Sequence, residues 1–433
     1  MSAARTRVPR RGPRATSVGR ASTRTLAVLA TVTAAALALG ACSSSVDDTA
    51  GTPTKGRPTA SSATRSTPPT TTTSATTNVY QHDAAGMLAP AAAAARRLVY
   101  VPNTMSNTVQ VIDPKTYTVI RRFSTGREPQ HVVPSWDLKT LWVNDDLGND
   151  LIPIDPTTGR QGKRVPVVDP YNLYFTPNGK HALVMAERLR RIDVRDPQTM
   201  ALQRSLPVPC HGVNHADFSA DQSFFVASCE FSGKLLVIDA DATKVRQVID
   251  LNAITTPGAT SPHEAMNMPG SPKQGLMPGA SAMPQDVRLS PDGRWFLAAD
   301  MLRNGVWVID AKTLKFSRFI QTGMGAHGIY PSRDATRLYV SNRDAGTITV
   351  LDSRTLAKVA LWTIPGGGSP DMGGVSADGK ELWMSGRYNG VVYVFDTTTG
   401  QVTHKIKVDS GPHGLCVWPQ PGRYSLGHTG NMR

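Results

Sequence analysis

Apolar and polar positions repeat along this chain in one figure: an apolar run, a small or polar turn, and a second apolar run ending in aspartate. Seven segments carry it: Val99–Asp113, Leu141–Asp155, a degenerate Ala182–Asp193, Phe224–Asp239, Phe296–Asp310, Leu338–Asp352 and Leu382–Asp396. Their starts lie 42, 41, 42, 72, 42 and 44 residues apart, so one interval carries an insertion and the others agree. Alternation of apolar with polar residues, bounded by Gly, Asn, Asp and Pro, predicts strands rather than helices. Ahead of each double run lies another strand-like stretch, such as Gln285–Gly293, whose Asp292-Gly293 predicts a tight turn. Behind it comes a Thr/Lys/Val-rich one, such as Lys115–Phe123.

Four strands at a period near 42 residues predict a β-propeller blade. The first unit lacks its leading strand, and a lone leading strand, Gly411–Trp418, is left over at the other end. Pairing the two closes the ring, which an open solenoid cannot do. The expected fold is therefore all-β: a seven-bladed β-propeller of four-stranded blades over residues 97–420, its first blade closed by the C-terminal strand. The motif Leu338-Tyr-Val-Ser-Asn342 with Thr349-Val-Leu-Asp352 resembles the YVTN-repeat β-propeller family. The resemblance covers nearly all of 97–420 and implies fold, not activity. Its relatives include exported propellers of unknown role, surface-layer-type proteins and, remotely, the haem d1 propeller domain of cytochrome cd1 nitrite reductase.

Residues ahead of the repeat read differently. Seven arginines and no acid occupy residues 1–41, which accounts for half of the formal net charge of +14. An apolar stretch at 26–39 is too short for a permanent span and fits a signal peptide over 1–41. Leu39-Gly-Ala-Cys42 resembles the lipobox of bacterial lipoproteins, which implies lipidation (palmitate) of Cys42 and anchoring at the outer face of the cytoplasmic membrane. Residues 42–78 collapse to Ser, Thr, Pro, Ala and Gly and read as a disordered tether reaching about 30–35 Å. A lead-in segment over 79–96 contains an alanine run of helical propensity, and a tail over 421–433 follows the propeller.

Leading strands line a propeller's channel, so their first residues should face its mouth. Counting back from each turn gives Gln130 and His131, Tyr171 and Asn172, Asn214 and His215, Gln285 and Asp286, His327 and Gly328, Asp371 and Met372, and His413 and Gly414. Four imidazoles, His131, His215, His327 and His413, thus share one address, with Asp286 and Asp371 among them and His211 just upstream. Convergent imidazoles suit a transition metal, and neighbouring carboxylates would tune or share it. A polar, water-filled rim that merely tolerates histidine is the competing reading.

The insertion, about 252–283, enters before the fifth blade's leading strand and reads as a lid over the same face. It carries His263, Met266, Met268, Met277 and Met283, and thioethers with imidazoles favour copper among metals. Arg303, Arg343 and Arg387 follow second strands and read as solvated charges, with carboxylate or phosphate binding on that rim as the alternative. Cys210 and Cys229 fall opposite each other across a hairpin and are a disulfide candidate, whereas Cys416 reads as a buried thiol. Gly323-Met-Gly-Ala-His-Gly328 joins two strands and fails the context of a dinucleotide fingerprint. No C-x-x-C, H-E-x-x-H, G-x-S-x-G or phosphate-loop motif occurs, and no Lys/Arg stripe marks a nucleic-acid surface. The functional expectation is a monomeric, membrane-anchored, non-catalytic module binding a protein, glycan or small ligand at the channel mouth. The alternative is a metal-dependent exported oxidoreductase or metal carrier, or a haem d1-related one, using the same ring.

Overall fold

The computed structural model describes residues 78–256 and 276–433. Seven antiparallel sheets, one per repeat, make up these residues, with helix confined to Pro90–Ala93 and two 3-10 turns. Six sheets have four strands. In the second the outermost strand is split into Arg160–Gln161 and Val165–Pro166, both paired to Asp150–Asp155. Cys416–Trp418 pairs with Leu98–Asn103 (Val99 opposite Val417, Tyr100 opposite Cys416), so the last strand is the innermost of the first blade. The chain is a seven-bladed propeller closed by its C-terminal strand.

Burial along the strands explains why the two middle runs of each repeat are so apolar. Each blade is sandwiched between two others, so both faces of its inner strands are covered, and all six residues of Leu98–Asn103 are buried. Outer strands face solvent on the rim, and Leu202–Pro207 has no buried residue. Contacts run from blade to blade: Val99, Val101 and Ile112 of the first pack on Trp383, Val392 and Val394 of the seventh. Side chains of this size contribute about 1.5–3 kcal/mol each when fully buried.

The repeating aspartate is a turn-former. Asp310 Oδ1 accepts the backbone N–H groups of Lys312 and Thr313 and the Thr313 hydroxyl, and Asp352 and Asp396 act alike. In the third blade this role belongs to Asp196, which accepts from Gln198 and Thr199. The degenerate repeat thus begins on its strand at Ala182, as its pattern indicates, but closes at Asp196, three residues beyond Asp193. Asp193 lies inside the strand Arg191–Arg195, buried against Arg191 and Arg195. The alanine-rich lead-in is helical for one turn only, begun by Pro90.

Candidate functional site

Strand register aims the mouth residues at the axis. Between innermost and second strands the ladder slips by one residue between Pro129 and His131, Val213 and Ala216, Pro284 and Val287, Ala326 and Ile329, and Pro370 and Gly373. Each slip is a β-bulge, and a bulge frees residues from the pleat and re-aims their side chains. His215, Asp286, His327 and Asp371 sit inside these bulges and His131 at the edge of one. Serines on the second strands hold the bulged backbone: Ser228 Oγ accepts from His215 N–H, Ser341 Oγ from Gly328 N–H and Ser385 Oγ from Met372 N–H.

The result is a packed knot of imidazoles. His131, His215, His327 and His413 are all at most 2% exposed. Ring centroids lie 5.6 Å apart for His131 and His215, 5.0 Å for His131 and His413, 6.3 Å for His215 and His327, and 5.9 Å for His327 and His413. A fifth ring, His428, comes from the tail, 5.3 Å from His131 and 5.0 Å from His215. The tail turns back beside the third blade, where His428 N–H donates to Leu173 O and Phe175 N–H to Leu426 O. Gly427 and Gly430, at φ +108° and +116°, permit that turn. Beyond it, Asn431 and Arg433 donate to Asp217 Oδ1 at 2.7 and 2.8 Å, and Arg433 stacks on Tyr80, filling the far end of the channel. Among the described residues, one group of ligand-type side chains has donor atoms all within 4.8 Å of one another: His131, His215 and His428.

Hydrogen bonds fix the protons on three of these rings. His131 Nδ1 lies 3.0 Å from the Tyr171 carbonyl oxygen, which only accepts, so Nδ1 carries the proton. His413 Nδ1 donates to Asp371 Oδ2 at 2.6 Å. His215 Nδ1 donates to Asn214 Oδ1 at 3.0 Å, while Asn214 Nδ2 turns to Glu230 and Glu187. Each neutral ring is left with a bare Nε2 lone pair, and all three Nε2 atoms are buried without a partner. His428 differs. Asn172 Nδ2 donates to its Nδ1, so its proton lies on Nε2, 3.7 Å from Asp286 Oδ1. Burial pushes all five rings below the ordinary imidazole value, His131 to about 4, so they are neutral at pH 7.

The two carboxylates stand against the imidazoles, Asp371 beside His413 and His327 and Asp286 beside His428, but each is also engaged by an arginine. Burial raises Asp371, but Arg343 and the nearby His327 and Arg387 outweigh it and hold the carboxyl below its usual range. Arg343 reaches Asp371 Oδ1 through Nε at 2.8 Å and Nη2 at 2.5 Å. Arg343 is thus a buried ion-pair partner and not the solvated charge the sequence suggested, because the seventh blade supplies its carboxylate. Asp286 accepts from Ile329 N–H and Arg288, leaving Oδ1 without a partner.

Other candidates land elsewhere. His211 is half-buried, its backbone tied to Ser232 Oγ, and its ring is outside the imidazole knot. Its position upstream of the bulge leaves it on the loop. Met283 is buried with Met301 and Leu302, a packing role, and Met277 is 38% exposed. His263, Met266 and Met268, like Cys42 and the signal and tether segments, lie outside the described residues. Cys210 and Cys229 form a disulfide with Cα atoms 6.1 Å apart, and Cys416 is free and buried. His428 is the site residue that the repeat pattern leaves unplaced, because the sequence does not fix whether the tail Tyr424–Arg433 folds over the channel or hangs free. Its one local signal is the pair of glycines that flank it.

A family model described as a YNCE-like beta-propeller matches residues 77–196 and 278–421. The chain belongs to the YNCE-like β-propeller family. Among curated proteins none matches it. Solved structures share the fold at low identity. A functionally unknown protein from Desulfotomaculum acetoxidans DSM 771 has 14% identity and a TM-score of 0.57, covering 75% of this chain and all of that one. Dihydro-haem d1 dehydrogenase NirN has 15% identity and 0.53, covering 74% and 75%. Kuenenia stuttgartiensis hydrazine synthase has 16% identity and 0.52, covering 66% and 88%.

In this YNCE-like propeller the mouth above the imidazoles is divided by charge. The first residue after each second strand is Thr104, Asp146, Glu187, Glu230, Met301, Arg343 and Arg387 in blade order. Three acids on blades two to four therefore face two arginines on blades six and seven. Burial raises both Glu187 and Glu230, and the charges of Glu230 and Asp146 lift Glu187 further.

Proposed function

We propose that this propeller binds a transition-metal ion at the axis of its channel, with His131, His215 and His428 as the ligand set and His413 beside them. One observation carries the reading. Ring nitrogens of His131, His215 and His428 lie within 4.8 Å of one another, and outer partners pin the first two rings' protons to Nδ1, so their buried Nε2 lone pairs have nothing to accept. His428 joins them as a ligand in its other tautomer, with Nδ1–H turned to the Asn172 amide oxygen. Burying a lone pair unpartnered is unfavourable, whereas outer hydrogen bonds of this kind orient metal-ligating histidines. Of the three rings only His428 offers an Nε2–H donor, too little for an anion. The reading keeps the binding-module expectation and gives it a ligand. The membrane-anchored location belongs to the proposal and rests on the Cys42 lipobox resemblance alone.

The test is metal loading of the full-length exported chain, followed by elemental analysis and titration. One equivalent of metal, with a Kd tighter than about 10 µM, is expected in the wild type. A triple variant, His131→Asn, His215→Asn and His428→Asn, should lose it while keeping a cooperative melt. Wild-type protein that takes up no copper, zinc, nickel or cobalt would overturn the proposal.

A further inference from the structure

We infer that the ion this site selects is monovalent and soft, Cu(I), in preference to divalent zinc or nickel; the inference rests on the metal reading above. The donor set is electrically neutral. Among the described residues no carboxylate joins the three imidazoles within ligand reach. Asp371, the carboxylate beside His413 and His327, is already neutralised by two hydrogen bonds from Arg343. Asp286 has Arg288 on its other oxygen. Its free Oδ1 stands 3.7 Å from His428 Nε2, outside the group of three, so each carboxylate beside the rings already has a guanidinium to balance it.

Surrounding charge makes this more severe. The guanidiniums of Arg288, Arg343 and Arg387 bear on the rings and disfavour positive charge there, opposed chiefly by Asp371. The rings are also almost fully dry, His131 and His215 being 0% exposed. Moving an ion from water into such a place has a Born penalty that grows as the square of its charge, so a divalent ion faces four times the penalty of a monovalent one. Repulsion from the arginines grows linearly and doubles. Structural zinc sites usually recruit thiolates, and among the described residues no cysteine joins the three imidazoles. Cu(I) is content with two or three neutral imidazoles, and a soft thioether stands at the ring: Met372 Sδ lies 3.0 Å from His327 Nδ1.

Competition titrations on the full-length chain decide the matter. Cu(I) is measured anaerobically against a chromophoric Cu(I) chelator, with Ag(I) as its redox-inert counterpart, and Zn(II) against a zinc chelator. The expected result is one equivalent of Cu(I) or Ag(I), bound on the order of 10³-fold more tightly than Zn(II). A second arm isolates the charge argument. Arg387→Met removes one half-exposed positive charge, so if it tightens Cu(I) by a factor n it should tighten Zn(II) by about n². Equal factors for the two ions would overturn the inference. So would zinc binding as tight as Cu(I), and loss of that zinc in Asp286→Asn would name the carboxylate that had neutralised it. In either case the site would still be a metal site. Failure to bind any ion would instead remove the metal reading itself.

Discussion

Replacing Asp371 with asparagine should destabilise the propeller by about 3–5 kcal/mol, the range for stranding one partner of a buried ion pair. Asp371 is 0% exposed and serves two donors, with Arg343 on Oδ1 and His413 Nδ1 on Oδ2. Asparagine keeps the shape but offers one acceptor and one amide donor. Turned to serve His413, it sets N–H groups against the guanidinium. Turned to serve Arg343, it strands the imidazole N–H, and either way the guanidinium charge is unbalanced. The sign with pH follows from the depressed carboxyl. Its stabilisation is complete above the ordinary carboxylate range and is lost as pH falls through the lower folded value. The deficit of the variant should therefore be flat from pH 6 to 8. Equilibrium urea unfolding of wild type, Arg343→Met, Asp371→Asn and the double variant supplies the assay. The double variant carries no stranded charge and should be more stable than Asp371→Asn alone, with a coupling of roughly 2–3 kcal/mol. Additive effects, or a single-variant deficit under about 1 kcal/mol, would refute the reasoning.

Three further outcomes follow from other parts of the ring. Asp145 and Asp150 face each other across a hairpin, and burial with the Asp150 hydrogen bond pushes Asp145 up to about 8. The folded state keeps a proton the unfolded chain has lost, so this pair destabilises increasingly as pH rises towards 8; Asp145→Asn should raise the melting temperature, more at pH 8.5 than at pH 6, and an equal change at both would contradict it. Cys210 and Cys229 close a loop of separation 19, so Cys210→Ala with Cys229→Ala should remove about 3 kcal/mol in chemical denaturation, as should reductant on the wild type. A side chain at Gly414 would collide with the His131 ring and crowd Gln130 O, 2.9 Å from the added carbon. Gly414→Ala should destabilise by about 1–3 kcal/mol and weaken metal binding at least tenfold, whereas Gly374→Ala, whose added carbon meets nothing nearer than 3.7 Å, should match the wild type in titration.

The fold was legible because its determinants are local and repeated. Each blade restates the same apolar runs, and each run ends on an aspartate that ties its own turn. Where one copy carried extra aspartate, at Asp193, pattern matching seized the wrong one, since a buried Asp between two arginines has the same letter as a turn-former. Closure was visible because a strand left over at one end matches a strand missing at the other.

The site was legible for the same reason and only so far. His131, His215, His327 and His413 recur at one distance from a turn, and that distance places the first three in or beside the bulges that point inward and His413 just ahead of the closing strand Cys416–Trp418. What lies outside the period carries no such address. Arg343 follows its strand as an ordinary surface arginine would, and only Asp371, 28 residues on and one blade over, makes it a buried partner. His428 sits in a segment with no apolar rhythm, and its approach to His131 and His215 depends on a backbone reversal through left-handed glycines. The tail therefore does more than block the channel. It inserts the imidazole that extends two blade-borne rings, His131 and His215, into a convergent set of three. A propeller with identical blades and a different tail would keep this fold and lose the site, which is why the repeat alone identifies the architecture and not the ligand.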